Sequence, residues 1–346
     1  MSRPFDVAIA GDGPAGLVAA TLLARAGARV AVLGRVRKAP RRPGETLPGA
    51  GQRLLRVLGL PVLEEGGPHR QLTGISSAWD SGRMVETDHF ASPDGPAWLI
   101  DRDAFDRRLE AAAVEAGARI FSGGGAVARS GTGWTVATPE GPMAAAFLVD
   151  ATGRAGRLAR RLGPAPEAEG KAVAWWSIAR GEAPTRLQRP MIERTGDGWW
   201  FAVRLGPDAT YVAFHTGAKL DPARRAEIWQ ARLRATKWLG PQLDGAGRFG
   251  PVRGSPAGGT RLRQPCGEAW AACGDAAMAL DPLSSQGLLS ALAGGHEVAK
   301  ALCASTEGRK AALEAYRERL DQIWSIYQAR RTALMEQEAP ASSHAA

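Results

Sequence analysis

A glycine-rich turn near the N-terminus constrains the fold of this chain more than any other feature of its sequence. The segment GDGPAG at residues 11–16 follows a short apolar run, Phe5–Ala10, that is typical of a buried parallel strand. An Ala- and Leu-rich helix is predicted over residues 17–26, and residues 29–33 are predicted as a second strand. In this context the GxGxxG spacing predicts a dinucleotide-binding βαβ unit, with its ligand at the carboxyl ends of the strands.

Each glycine of this turn has a separate physical role. Gly11 permits the tight turn, Gly13 lets a pyrophosphate approach the backbone, and Gly16 allows the helix to pack closely on the strand. The helix that follows offers free N–H groups to phosphates. One expected feature is missing, because Gly34 ends the second strand where such sites usually carry an acid for the ribose hydroxyls. Either another group, for which Arg35 is a candidate, makes this contact, or the adenosine end is held loosely.

A second strand, turn and helix pattern occurs late in the chain. Gly274 and Asp275 close the strand, and the segment DPLSSQG follows at residues 281–287. A carboxylate at such a turn can accept a hydrogen bond from a ribityl hydroxyl. A helix predicted from about Ser285 would direct its positive end at a flavin ring. Elements of the nucleotide-binding type therefore recur along the chain, with strand-rich segments inserted between them.

Taken in order, these motifs resemble the flavin-dependent monooxygenase and tryptophan halogenase-like superfamily over nearly the whole chain. They are GDGPAG at 11–16, GETLP at 44–48, DRDAFD at 101–106, DATGR at 150–154, and GD at 274–275 with DPLSSQG at 281–287. SAW at 77–79 and GWWF at 198–201 resemble a narrower branch, the LodB-like and QhpG-like flavoproteins of tryptophylquinone cofactor maturation. The resemblance implies bound FAD, with NAD(P)H or an external reductase as the electron donor and O2 as the oxidant.

The resemblance also implies roles for particular residues. Glu45 would lie near the flavin and the passage to the substrate, Arg102 would contact FAD, and Asp275 would bind its ribityl or pyrophosphate region. The expected catalytic residues are Glu45, Pro282 and Gln286. The expected FAD-binding residues are Gly11, Gly13, Pro14, Ala15, Gly16, Arg35, Glu45, Thr46, Arg102, Gly153, Gly274, Asp275, Pro282, Ser285, Gln286, Gly287 and Leu288.

Tryptophans are concentrated in the inserted strand segments. We expect Trp79, Trp199 and Trp200, together with His215, to line a pocket for a flat aromatic substrate. For any single tryptophan, packing in the core of a sheet is an equally good interpretation. No catalytic role is assigned to His215, because a lone histidine is more often a structural hydrogen-bonding group.

The predicted fold is α/β, with a Rossmann-like FAD-binding domain interleaved with a β-sheet-rich substrate domain and followed by a long C-terminal helix. The FAD-binding domain is assigned to residues 1–75, 100–165 and 260–305, and the substrate domain to residues 76–99 and 166–259. A helix is predicted over residues 222–235, capped by Asp221.

The C-terminal helix is predicted over residues 306–338, and a disordered tail over residues 339–346. The helix is amphipathic, and one broad face would pack on the FAD-binding domain or serve a partner or a dimer. That face comprises Leu313, Tyr316, Leu320, Ile323, Trp324 and Tyr327.

Composition and charge narrow the class of protein. The 346 residues carry a formal net charge of +9, which would suit an acidic protein partner or a phosphate-bearing cofactor. We find no nucleic-acid module and no apolar run near the roughly 20 residues that a membrane span requires. The three cysteines are too few and too irregularly spaced for a disulfide framework or a metal cage. We therefore expect a cytoplasmic protein with no metal site, no nucleic-acid partner and no membrane span.

These observations predict an FAD-dependent monooxygenase that hydroxylates an aromatic ring through a flavin hydroperoxide, as the resemblance implies. The expected substrate is a tryptophan side chain of a partner protein or peptide during quinone cofactor biogenesis. Halogenation is disfavoured, because the family's halogenases need a lysine downstream of the GE turn and this chain has none between Lys38 and Lys171. A small-molecule aromatic hydroxylase and a non-catalytic flavin-binding accessory protein remain open alternatives.

Overall fold

The computed structural model describes residues 3–35, 43–79, 82–89, 92–181 and 186–336. The α-helices of these ranges are α1 (Pro14–Arg25), α2 (Gly49–Val57), α3 (Arg102–Glu115), α4 (Ala159–Leu162), α5 (Arg225–Arg234), α6 (Leu239–Gln242), α7 (Gly287–Cys303) and α8 (Thr306–Glu336). Short 3-10 turns lie at Gly153–Ala155, Gly274–Ala276 and Pro282–Ser284. Within the described ranges, no helix combines the length and the apolar character needed to cross a membrane.

The strands of the same ranges form two large sheets and two small ones. They are β1 (Phe5–Ala10), β2 (Val30–Gly34), β3 (Thr46–Leu47), β4 (Arg70–Leu72), β5 (Gly74–Ala78), β6 (Val85–Asp88), β7 (Ala97–Leu99), β8 (Arg119–Ser122), β9 (Val127–Ser130), β10 (Gly133–Thr138), β11 (Gly141–Asp150), β12 (Glu167–Glu169), β13 (Val173–Arg180), β14 (Met191–Thr195), β15 (Gly198–Arg204), β16 (Ala209–Thr216), β17 (Arg248–Phe249), β18 (Arg253–Pro256), β19 (Gly259–Arg261), β20 (Cys266–Gly267), β21 (Trp270–Ala272) and β22 (Met278–Ala279).

The first large sheet has the strand order β20, β21, β11, β1, β2, β8, and the β9–β10 hairpin is attached to β11. Strand β1 runs parallel to both neighbours, so that Ala10 pairs with Leu33 of β2 and with Asp150 of β11. Every residue of β2 is buried, which explains its continuous apolar run, since a parallel sheet is covered on its faces. Helix α1 packs against α3 and α7. The carboxyl ends of three strands therefore open together at one edge of the sheet.

The second large sheet has the strand order β17, β13, β16, β15, β14, β5, β6, with β18 paired to β13. Its pairs are antiparallel except for β5 and β14, which run parallel. All eight residues of β16 are buried, so both faces of this strand are covered. The strand-rich insertions recognised in the sequence form this sheet, and the assignment of residue ranges to two domains stays a prediction.

Two helices begin later than the sequence predicted. Helix α5 begins at Arg225, because the Asp221 carboxylate accepts a hydrogen bond from the Ala223 N–H (2.9 Å) and caps a turn that precedes the helix. Helix α7 begins at Gly287, because Ser285 has a φ of +50°. A left-handed residue of this kind cannot belong to a right-handed helix.

The C-terminal helix α8 packs on its own chain. Five residues of its predicted face are buried in the same core as the first sheet, namely Leu313, Tyr316, Leu320, Trp324 and Tyr327. The Tyr316 hydroxyl donates to the backbone carbonyl of Ala272 on β21 (3.0 Å). Ile323 was assigned to this face incorrectly: it is 38% exposed, because it lies at the edge of the apolar stripe. The predicted tail at residues 339–346 lies outside the described residues.

Candidate functional site

A cavity of about 550 Å³ lies at the carboxyl edge of the first sheet and extends to the second sheet. Its first wall comes from the ends of β1, β2 and β11 and from the start of α7, and its second wall comes from β14, β15 and β16. Open α/β sheets bind ligands at this edge, where the strands point their carboxyl ends into a crevice.

The glycine turn after β1 forms the floor of the cavity. Gly11 has a φ of +122°, and a Cβ atom there would lie 2.2 Å from the Ala151 carbonyl oxygen, so only glycine fits. A Cβ atom on Gly13 would meet no atom within 4 Å. Helix α1 begins at Pro14, directly after Gly13. The turn thus leaves open space at the positive end of a helix, which is the arrangement that binds phosphate.

The turn after β11 is organised by a buried aspartate. The Asp150 carboxylate accepts hydrogen bonds from the backbone N–H groups of Thr152 (2.9 Å), Leu158 (2.9 Å) and Ala159 (2.7 Å), and from the Thr152 hydroxyl (2.7 Å). These bonds fold residues 152–159 into a compact turn whose Gly153, at a φ of +69°, lines the cavity. The sequence motif DATGR therefore owes its aspartate to the shape of this turn.

An ion pair joins this turn to the predicted ribityl-binding aspartate. The Arg154 guanidinium lies 3.6 Å from the Asp275 carboxylate and donates to the backbone carbonyls of Gly258 (2.7 Å) and Leu280. Both Arg154 and Asp275 line the cavity. Arg154 consequently ties three loops of the cavity together, a role that its sequence motif alone does not reveal.

The segment before α7 brings a buried carboxyl group to the cavity. Burial raises the pKa of Asp281, although a hydrogen bond from the Leu283 N–H (2.9 Å) and the charge of Arg331 oppose the shift. Pro282, Ser285, Gly287 and Leu288 line the cavity at the N-terminus of this 17-residue helix. The positive end of the helix is therefore directed at the cavity, where it would stabilise negative charge.

Glu45 and Arg102 form a salt bridge at the cavity wall. Burial alone would lower the pKa of the Arg102 guanidinium, but the charges of Glu45 and Asp106 raise it above its ordinary value. Arg102 opens α3, which Asp101 caps by accepting a hydrogen bond from the Ala104 N–H (2.9 Å). The start of α3 therefore fixes the Arg102 guanidinium beside Glu45 at the cavity wall.

The second wall of the cavity is aromatic. Trp199 on β15 and His215 on β16 are directly opposed across the two strands, and their rings stack with centroids 3.7 Å apart and planes 4° apart. Phe201 and Tyr211 extend this surface, and Ile192 of β14 borders it. Together these side chains make this wall of the cavity largely aromatic and apolar.

Two tryptophans predicted for the pocket lie elsewhere. Trp200 is fully buried on the other face of the sheet, stacked on Phe214 (4.7 Å between centroids) and edge-on to Trp229 (5.2 Å). Successive side chains of a strand point to opposite faces, so Trp199 and Trp200 cannot both reach the cavity. Trp79 lies near Trp199, with 6.5 Å between ring centroids, but it is not among the residues that line the cavity.

Most residues predicted to bind FAD line the cavity, and their contacts with the cofactor stay predictions. Gly16 and Gly274 do not line it, because they serve close packing instead. A Cβ atom on Gly16 would lie 2.1 Å from the Gly11 carbonyl oxygen, and one on Gly274 would lie 2.7 Å from the Ala15 Cβ. Gln286, which was also proposed to be catalytic, is the N-cap residue of α7 and does not line the cavity.

Several lining residues were not anticipated from the sequence. Tyr211 and Phe201 belong to strands whose two faces are both apolar, so their orientation is not readable from alternation. Ile192 lies on β14 and pairs with Phe201 of β15. Arg157 and Arg161 also line the cavity. Their signal was the run of arginines that directly follows the DATGR motif.

Comparison with known proteins agrees with this geometry. Residues 4–220 match the family described as FAD binding domain, which is more than half of the chain. The FAD-dependent oxidoreductase LodB of Marinomonas mediterranea is 27% identical, over 96% of this chain and 93% of its own length. The sulochrin halogenase gedL of Aspergillus terreus is 26% identical, over 89% of this chain and 65% of its own length.

Solved structures share the fold over nearly the whole chain. The peptidyl tryptophan dihydroxylase QhpG, essential for tryptophylquinone cofactor biogenesis, superposes with a TM-score of 0.77 at 24% identity, over 97% of this chain and 76% of its own. The myxobacterial chondrochloren halogenase CndH superposes with a TM-score of 0.83 at 20% identity, over 98% of this chain and 84% of its own. The predicted α/β fold class is thereby confirmed.

Proposed function

The chain belongs to the family of FAD-binding domains and is an FAD-dependent oxidoreductase, and on that premise we propose that it hydroxylates an aromatic ring held against Trp199 and His215. The observation that carries the proposal is the position of this aromatic wall. It lines the same cavity as the glycine turn and the N-terminus of α7. A ring lying on the wall would therefore share an enclosed space with the flavin.

The first wall of the cavity fits FAD. The open space at Gly13 leaves room for the pyrophosphate, which the start of α1 would hold through its N–H groups. The positive end of α7 lies where it would stabilise negative charge on the flavin ring. When bound, FAD would supply the redox chemistry, taking electrons from NAD(P)H or a reductase and passing one atom of O2 to the substrate.

The aromatic wall would bind and orient the substrate. The rings of Trp199 and His215 cover one face of each other, so a planar substrate would meet the outer face or the edges of this stacked pair, and both arrangements are favourable aromatic contacts. Phe201 and Ile192 keep the space apolar, which excludes water from the reacting atoms. The imidazole of His215 gives the wall a group that can exchange a proton with an indole N–H or a ring hydroxyl.

We favour a tryptophan side chain of a protein or peptide as the substrate. QhpG, which shares the fold, is described as a peptidyl tryptophan dihydroxylase, and LodB is similar over almost the whole chain. Other relatives are halogenases of small molecules. This chain has no lysine between Lys38 and Lys171, the interval in which the halogenases' lysine is expected, and this absence favours hydroxylation.

The test is oxygen transfer to a peptide with one tryptophan. Protein loaded with FAD receives NADPH, isotopically labelled O2 and the peptide, and mass spectrometry follows the label. We expect label in the tryptophan. Trp199→Leu should raise KM for the peptide about 2- to 12-fold, the worth of an aromatic contact. Trp134→Leu is the matched control, because Trp134 is equally buried but lies on β10, outside the cavity lining. Its KM should not change.

Two other results would redirect the proposal. If the peptide stays unlabelled while small phenols or indoles take up the label, the enzyme is a small-molecule hydroxylase. If FAD binds but is never reduced by NADPH, with or without substrate, an external reductase must be supplied before the peptide is tested again. If FAD binds but no substrate is oxidised even with an external reductase, the protein would be a non-catalytic flavin-binding accessory protein.

A further inference from the structure

The end of β2 has no side chain where dinucleotide-binding folds usually place an acid for the ribose hydroxyls. Gly34 occupies that position. A ribose without such a partner would be held only by backbone groups and shape. The structure therefore has to provide an acceptor from another element, or leave the adenosine end weakly bound.

Asp12 lies where that acceptor is needed. Strands β1 and β2 end in register, with Ala10 beside Leu33 and a hydrogen bond from the Gly11 N–H to the Leu33 carbonyl (3.0 Å). Two residues beyond the end of β1, the chain therefore passes directly beside Gly34. A Cβ atom on Gly34 would lie 3.0 Å from one carboxylate oxygen of Asp12 and 3.3 Å from its carboxyl carbon.

The two positions compete for one space. A side chain at residue 34 would crowd the Asp12 carboxylate, which would have to shift by a few tenths of an ångström. Asp12 is only 7% exposed, and both residues line the cavity. A carboxylate that lines a ligand cavity can accept hydrogen bonds from the hydroxyl groups of a ligand, and ribose hydroxyls would donate such bonds to Asp12.

We propose that Asp12, the second residue of the glycine turn, accepts the hydrogen bonds of the adenosine ribose in place of the missing acid on β2. The acid would then lie in the loop after β1 instead of at the end of β2, and its carboxylate would occupy the same part of the cavity. The inference rests on FAD as the cofactor of the proposed function and is independent of the substrate.

The test compares the binding of FAD with that of FMN, which lacks the adenosine, by fluorescence titration of the apoprotein. Asp12→Asn keeps the size of the side chain and removes its charge. It should weaken FAD binding about 10- to 100-fold, the loss expected for hydrogen bonds to a charged acceptor. FMN binding should not change. Asp6→Asn is the matched control, because Asp6 lies at the opposite end of β1, outside the cavity lining.

A rescue experiment separates this role from general damage. Gly34→Glu alone should also weaken FAD binding, because two carboxylates would share one space. The φ of Gly34 is not positive, so the backbone accepts a side chain there. Asp12→Ala combined with Gly34→Glu should therefore restore FAD affinity towards that of the wild type, by returning the acid to β2.

Each remaining outcome overturns the inference. Unchanged FAD affinity in Asp12→Asn would remove Asp12 from the ribose site. Equal losses of FAD and FMN affinity would assign Asp12 to the shape of the turn instead. If the wild-type protein binds FMN as tightly as FAD, the adenosine contributes no affinity, and the ribose has no partner. Failure of the wild type to bind either flavin would overturn the proposed function itself.

Discussion

Substitution of Gly13 by alanine separates the stability of the glycine turn from its ability to bind a cofactor. A Cβ atom on Gly13 meets nothing within 4 Å, and the residue has a φ of −90°, which alanine adopts without strain. Alanine also reduces the conformational freedom of the unfolded chain. Gly13 is also the N-cap residue of α1, a position where glycine is preferred over alanine, and this opposes that stabilising effect. The stability of the apoprotein should therefore change by less than about 1 kcal/mol, and its Tm by about 1 °C or less.

The same methyl group should damage FAD binding. The space in front of Gly13 is where the pyrophosphate approaches the backbone. Placing a methyl group in a tightly filled contact costs about 1–3 kcal/mol, so the Kd for FAD should rise about 5- to 150-fold. Calorimetry of the apoprotein and fluorescence titration with FAD measure the two effects separately.

Gly11→Ala is the matched comparison. A Cβ atom at residue 11 would lie 2.2 Å from the Ala151 carbonyl oxygen, and this residue has a φ of +122°. This variant should therefore lose stability as well as affinity for FAD. The reasoning is refuted if Gly13→Ala binds FAD like the wild type, since the open space would then not be the pyrophosphate site. It is equally refuted if the Gly13 variant is destabilised as much as the Gly11 variant.

Three further substitutions test the packing and the charges around the cavity. Trp200→Ala should cost about 3–5 kcal/mol in chemical denaturation, because Trp200 is fully buried, and a cost below 1 kcal/mol would contradict this placement. Tyr316→Phe should cost about 0.5–1.5 kcal/mol, since it removes the hydrogen bond to Ala272, and an unchanged Tm would show that the bond contributes nothing. Burial raises the pKa of Asp281, so its carboxyl group binds a proton more tightly in the folded state than in the unfolded state. The stability that the protonated carboxyl group contributes is therefore lost as pH rises above the ordinary pKa of 3.8. The Tm of Asp281→Asn relative to the wild type should therefore be higher near about pH 7 than near about pH 4, and the opposite order would show that Arg331 outweighs burial.

The sequence was most informative where a function depends on local spacing. The GxGxxG turn, the strand before it and the helix after it are set by residues within one short segment, and the structure has β1 and α1 there. The helix start predicted at Pro222 was wrong for a related reason, since the helix begins at Arg225. Asp221 and Pro222 together are typical of a helix start, but the Asp221 carboxylate accepts its hydrogen bond from Ala223, in a turn that precedes the helix. A side chain that caps a turn leaves the same pattern in a sequence as one that caps a helix.

The aromatic wall shows what local spacing cannot supply. Strand β15 is apolar on both faces, so its sequence does not reveal whether Trp199 or Trp200 faces the cavity. The answer depends on α5, because its Trp229 covers one face of the sheet and packs edge-on against Trp200. The acid at Asp12 is a similar case, because only the register of β1 against β2 brings it beside Gly34.

The long helix α8 connects the two walls of the cavity through contacts between residues that are far apart in the chain. The Tyr327 hydroxyl accepts a hydrogen bond from the Asp281 N–H (3.3 Å), in the segment that leads into α7. Two turns later, the Leu334 carbonyl accepts a hydrogen bond (3.0 Å) from the indole N–H of Trp79, whose ring centroid lies 6.5 Å from that of Trp199. One helix therefore contacts elements of both walls of the cavity. The amphipathic pattern alone left open whether this face serves a partner, and the burial of the face within the chain answers that question.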